Sequence, residues 1–142
     1  MDARRWIYAG LDLVFALAYA IAIMKMIPNR LPSAQIHLWT IPLGLLAMGL
    51  GTIIGQRTGW YLALGAGSLI LLSTILIIIR ILISAAFLAG VYGAFGKAAA
   101  TFSLLAVAVI VEVVVLLPLV QVKFLMSRAG RRAYGAPLTG LR

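Results

Sequence analysis

Residues 60–92 form a run of thirty-three amino acids with a single charged side chain, Arg80. A helix of that length exceeds the ~20 residues needed to cross a ~30 Å hydrocarbon core. It also lacks the regular return of polar positions that gives a water-soluble helix or strand its wet face. Three further apolar segments, 6–27, 36–55 and 98–125, flank it. The chain is 64% hydrophobic and 11% charged, with a mean hydropathy of +1.13. A soluble domain has roughly 45–50% apolar and about 25% charged residues. These values point to an integral membrane protein, all-α, with four transmembrane helices in an up-down bundle and an unusually long third helix.

Short breakers separate the four segments: "PNRLPSAQ", "QRTG" and "GAFGK". None leaves room for a soluble domain, so the chain divides into a transmembrane domain over 1–127 and a basic tail over 128–142. The N-terminal stretch has a basic start and an apolar centre, as signal peptides do. Asp12 interrupts that centre and the run continues to about residue 27, which reads as an uncleaved first span. Splitting the third segment at Arg80 is disfavoured, because no turn-forming residue flanks it.

The net charge of +9 comes from twelve basic residues against Asp2, Asp12 and Glu112. With four spans, Arg4, Arg5, Arg57, Lys123, Arg128, Arg131, Arg132 and Arg142 share one side, and Lys25, Arg30 and Lys97 the other. The positive-inside bias of eight against three then puts both termini in the cytoplasm and the protein in the cytoplasmic (inner) membrane. The tail is expected to lie against anionic lipid, with Lys123, Arg128, Arg131 and Arg132 meeting head groups. It lacks the interleaved aromatics of a nucleic-acid binder.

Charges within apolar helices are costly and usually face the bundle interior in pairs. Arg80 and Glu112 are each sixteen residues from Gly96, the centre of "GAFGK". An antiparallel hairpin turning there would set them at one depth, predicting an ion pair. Asp12 completes an expected intramembrane polar cluster of Arg80, Glu112 and Asp12. A second constellation is of small residues: Gly51 and Gly55, and on the third helix Ala86, Gly90 and Ala94. Such residues let helices approach closely within the bundle or at a partner. Pro118 removes a backbone donor and should kink the fourth segment, freeing the carbonyl of Val114.

No cysteine is present and His37 is the one histidine, so thiol chemistry and clustered metal ligands are out of reach. No nucleophile–base pair or phosphate loop can be assembled either. The acid within "YAGLDLVFALAYAIAIMK" resembles the first span of small multidrug-resistance transporters. That resemblance covers one helix, and the long third span, Arg80 and the basic tail depart from it. The expected function is a non-catalytic structural or accessory subunit of a membrane assembly, without cofactor or metal, bound to its own copies or to another membrane protein. The alternative is a small oligomeric transporter or channel working through Asp12, Arg80 and Glu112.

Overall fold

The structure is a computed structural model, and it describes residues 3–26 and 32–137, the side chains of 26, 32–34 and 37 apart. Asp2, Arg30 and Arg142, which entered the charge count, lie outside the described residues. Within them the chain is almost wholly helical, without a strand: α1 (Ala3–Met26), α2 (Pro32–Ile54), α3 (Arg57–Val91), α4 (Gly93–Ile110), a π-helical turn (Val111–Val115), α5 (Leu116–Met126) and α6 (Arg128–Ala133). Three stretches, Ala3–Lys25, Arg57–Val91 and Gly93–Met126, are long and apolar enough to cross a membrane; α2 carries a shorter apolar stretch, Leu38–Ile54. These features mark an α-helical membrane protein. The isoleucine-rich centre of α3 has the β-branched composition of a strand in water. In hydrocarbon each backbone donor and acceptor must be satisfied within the segment, and a helix does that alone.

Helix α2 packs between α1 and α3, and α4 and α5 fold back along α3. The α2–α3 crossing is tight because glycine meets glycine. A methyl group on Gly51 would come within 2.7 Å of the Gly59 carbonyl oxygen, and one on Gly59 would strike the Gly51 carbonyl. Gly55 has another task. With φ at +62° it ends α2 in the left-handed conformation, its N–H donating to the Gly51 carbonyl at 3.2 Å, and Arg5 lies over it.

Contacts along α1 fix its register against the last span. Tyr8 stacks on Phe124 with ring centroids 5.5 Å apart, Asp12 meets Gln121, and the Tyr19 hydroxyl donates to the Val113 carbonyl at 2.9 Å. The eleven residues from Tyr8 to Tyr19 are matched by eleven back from Phe124 to Val113, so the two run antiparallel. Trp60 at the start of α3 donates from Nε1 to the Leu125 carbonyl at the end of α5, 2.8 Å away. The first turns of α1 and α3 and the ends of α2 and α5 therefore meet at one end of the bundle, with the basic residues Arg5, Arg57 and Lys123.

The hairpin after α3 is sharper than "GAFGK" suggested. Tyr92 alone falls between the two helices, Gly93 carries the left-handed φ of +55°, and Gly96 lies inside α4 against the Leu88 carbonyl. Ala94 consequently belongs to α4 rather than to the third helix. Counted from Gly93, Arg80 is thirteen residues back and Glu112 nineteen forward. The equal spacing about Gly96 is thus not the register of the hairpin, and the two positions are staggered by six residues, roughly 9 Å of helix.

Helices α1 and α2 have 24 and 23 residues, whereas α3 has 35. At 1.5 Å per residue the hairpin outreaches them by roughly 16 Å. Its far part is little covered. Apart from Ala85, the buried residues of α3 stop at Thr74, and α4 buries only Gly96.

The basic segment is folded over its described residues, up to residue 137. Ser127 accepts from the Gly130 N–H at 3.0 Å and so caps α6. After α6, Gly135 at φ +62° lets Ala136 N–H reach back to the Arg131 carbonyl at 2.8 Å. This reversal carries Tyr134 and Ala136 into a core with Trp60, Ala63 and Leu125.

Candidate functional site: a buried polar cluster beneath the C-terminal segment

Where the basic end of the bundle passes into its apolar body, three helices each contribute one polar side chain. Asp12 from α1, Thr52 from α2 and Gln121 from α5 are all essentially inaccessible, at 0%, 0% and 1% exposure. Gln121 Nε2 donates to Asp12 Oδ2 at 2.7 Å and to Thr52 Oγ1 at 3.3 Å, and the Thr52 hydroxyl donates a hydrogen bond to the Met48 carbonyl at 2.8 Å. Gly49 faces Asp12 from α2, close enough that a methyl group there would sit 3.3 Å from Asp12 Cβ. The absence of a side chain at 49 thus lets α1 and α2 close over the carboxyl group.

Tyr134 is buried next to this cluster, with Arg5 beside it; the Arg5 guanidinium carbon is 5.9 Å from the phenol ring centre. Burial pushes the Tyr134 phenol up from its ordinary 10.0, opposed in part by the Thr52 hydroxyl and the positive charge of Arg5 and reinforced by negative charge at Asp12. Arg131 holds the segment down. Its guanidinium stacks 5.5 Å from the Trp60 ring centre, and it donates to the Met126 and Pro137 carbonyls. Two acceptors in the cluster remain unsatisfied: Asp12 Oδ1 and Gln121 Oε1.

Of the expected polar cluster, Asp12 alone is buried. Arg80 and Glu112 are exposed on the outside of the bundle, away from the interior where they were expected. Glu112 is in the π-helical turn, nine residues from Gln121. The small residues also divide. Gly51 packs internally and Gly55 terminates a helix, while Ala86, Gly90 and Ala94 are exposed, and a methyl group on Gly90 would meet nothing within 4 Å. Of the four residues expected at lipid head groups, Lys123, Arg128 and Arg132 are exposed and Arg131 is committed to Trp60 and backbone carbonyls.

Thr52, Gln121 and Tyr134 are neutral polar residues and were not among the site residues expected from charge alone. Gln121, in "LLPLVQVKF", is as anomalous in a membrane helix as Arg80 and carried a usable signal.

A second feature lies further from the basic end. A mostly apolar cavity of about 460 Å³ opens among α1, α2, α3 and the π-helical turn, lined by Tyr19, Ile23, Leu38, Ile41, Thr74 and Val114. Thr74 turns its hydroxyl onto the Ile70 carbonyl at 2.8 Å, leaving the wall dry. Among the described residues no group of three His, Cys, Asp or Glu side chains is placed to hold a metal ion. Comparison with protein-family models, curated proteins and solved structures finds no match.

Proposed function

We propose that this protein is a four-span, up-down membrane protein that serves as a non-catalytic structural or accessory subunit, joined through its long hairpin to its own copies or to another membrane protein. The observation that carries this reading is the overhang of α3 and α4. It is roughly 16 Å longer than the α1–α2 pair, and it presents exposed Ile83, Phe87, Val91, Phe95 and Phe102. Ala86, Gly90 and Ala94 lie among these large side chains, also exposed. Small residues that pack against nothing in their own chain are the kind of surface on which a second helix can approach closely in lipid. An apolar hairpin too long for one perpendicular crossing either tilts or is covered by protein, and the small-residue positions favour cover.

The charge asymmetry supports an orientation with both termini in the cytoplasm and insertion in the cytoplasmic membrane. Lys123, Arg128 and Arg132 then face anionic head groups. The rival reading, an oligomeric transporter or channel built on Asp12, Arg80 and Glu112, draws support from the burial of Asp12, while the exposure of the other two weakens it as one site.

Purification in mild detergent tests the leading reading. The wild type is expected to emerge with additional copies or a partner attached. Gly90→Leu, which has open space around it, should release them while the bundle remains folded. Recovery of a monomer from the wild type would overturn the proposal.

A further inference from the structure

The polar cluster poses a problem in hydrogen-bond accounting that is independent of the hairpin. Buried acceptors are nearly always paired, and each exception calls for a cause. Here the two exceptions are the remaining oxygens of a single bonded pair. Gln121 Nε2 donates to Asp12 Oδ2, and the atoms left over are Asp12 Oδ1 and Gln121 Oε1. Two acceptors cannot satisfy each other, and an ionised Asp12 has no proton to offer. One proton on Oδ1 changes that. A carboxylic acid and a primary amide can form a closed pair of hydrogen bonds, the amide N–H donating to one acid oxygen and the acid O–H to the amide oxygen.

We propose that Asp12 and Gln121 form a proton-binding site, in which Asp12 Oδ1 takes one proton from water and donates it in a hydrogen bond to Gln121 Oε1. The step forms one O–H bond and releases hydroxide, or water when hydronium is the donor. The surroundings suit a neutral pair. The hydrogen-bond partner of Asp12 among the described residues is a neutral amide, and an unpaired carboxylate in a membrane interior carries a heavy penalty. α2 and α5 present the uncharged Gly49, Thr52 and Gln121. The titratable and charged groups facing the site are Tyr134, from the C-terminal segment, and Arg5, from α1 beside it.

Asp2 and Asp12 are the only aspartates. Carboxyl-labelled aspartate in an Asp2→Asn background therefore gives one carbonyl signal, from Asp12, in the otherwise unaltered full chain in lipid nanodiscs. At about pH 6, where an ordinary exposed aspartate is ionised, that signal is expected at the carboxylic-acid position; a carboxylate signal would overturn the proposal. Thermal unfolding provides a second reading. Asp12→Asn supplies the same donor and acceptor without the proton and should keep the melting temperature of the wild type, while Asp12→Ala lowers it. Equal losses in the two variants would show that the fold requires the negative charge, and the proton site would be refuted.

Discussion

Gly51 and Gly59 touch where α2 crosses α3, and in each case the atom in the way of a side chain is a backbone carbonyl, which cannot rotate aside. Gly51→Ala is therefore expected to destabilise the bundle by about 1–3 kcal/mol, as overpacking does, read as a lower unfolding midpoint in detergent. Gly90→Ala should leave that midpoint unchanged. From sequence the two glycines looked alike, since spacing records that a residue is small and not which side of its helix is occupied. Asp12 could be found from sequence because a charge in an apolar run is conspicuous. Its partners could not, because Gln121 lies 109 positions away and only the α1–α5 register brings the two together. Tyr134 contributes a pH dependence of its own. With its phenol raised by burial, the folded protein holds the proton more tightly than the unfolded chain. The Tyr134 contribution to stability is then constant below about pH 10 and is lost as the pH climbs through the folded value. Alkaline titration followed by proteolysis of the C-terminal segment should show release only on that limb, and Tyr134→Phe should abolish this part of the pH dependence.

The π-helical turn is the element-scale consequence of Pro118, which cannot donate to the Val114 carbonyl and crowds the preceding turn. A distortion was legible from that proline; its form was not, nor was the hydrogen bond that Tyr19 of α1 donates to the Val113 carbonyl within it. Tyr19→Phe should cost about 0.6 kcal/mol, the average for such bonds within membranes, measured by reversible unfolding. Helix termini were less legible than helix bodies. "GAFGK" contains two glycines and reads as a loop, yet one left-handed glycine, Gly93, suffices and the rest is helix. That difference bears on Arg80 and Glu112, whose sequence symmetry about Gly96 does not match the turn. An ion pair between them is now a matter for a double-mutant cycle. Coupling above about 0.5 kcal/mol between Arg80→Ala and Glu112→Ala would establish pairing across the six-residue stagger, and additive effects would exclude it.

Over the whole molecule, the all-helical class and the surplus length of the third helix were readable because both depend on run length and hydropathy, which are local. The partition of the molecule into a covered base and a bare hairpin was not, since it depends on α1 and α2 stopping about eleven residues short of α3. Nor was the folded C-terminal segment, whose basic residues suggested a ribbon on the lipid surface while Tyr134 and Ala136 bind it to the core. The overhang carries the functional proposal, and Gly65 supplies its control. Gly65 and Gly90 are both exposed on α3 with open space around them, one on the covered part and one on the overhang. The decisive measurement is the mass of the particle purified in lipid nanodiscs from wild type, Gly65→Leu and Gly90→Leu. The hairpin reading predicts a multi-chain mass for the first two and a single chain for the third. A single-chain mass for the wild type, or an unchanged assembly in Gly90→Leu, would contradict it.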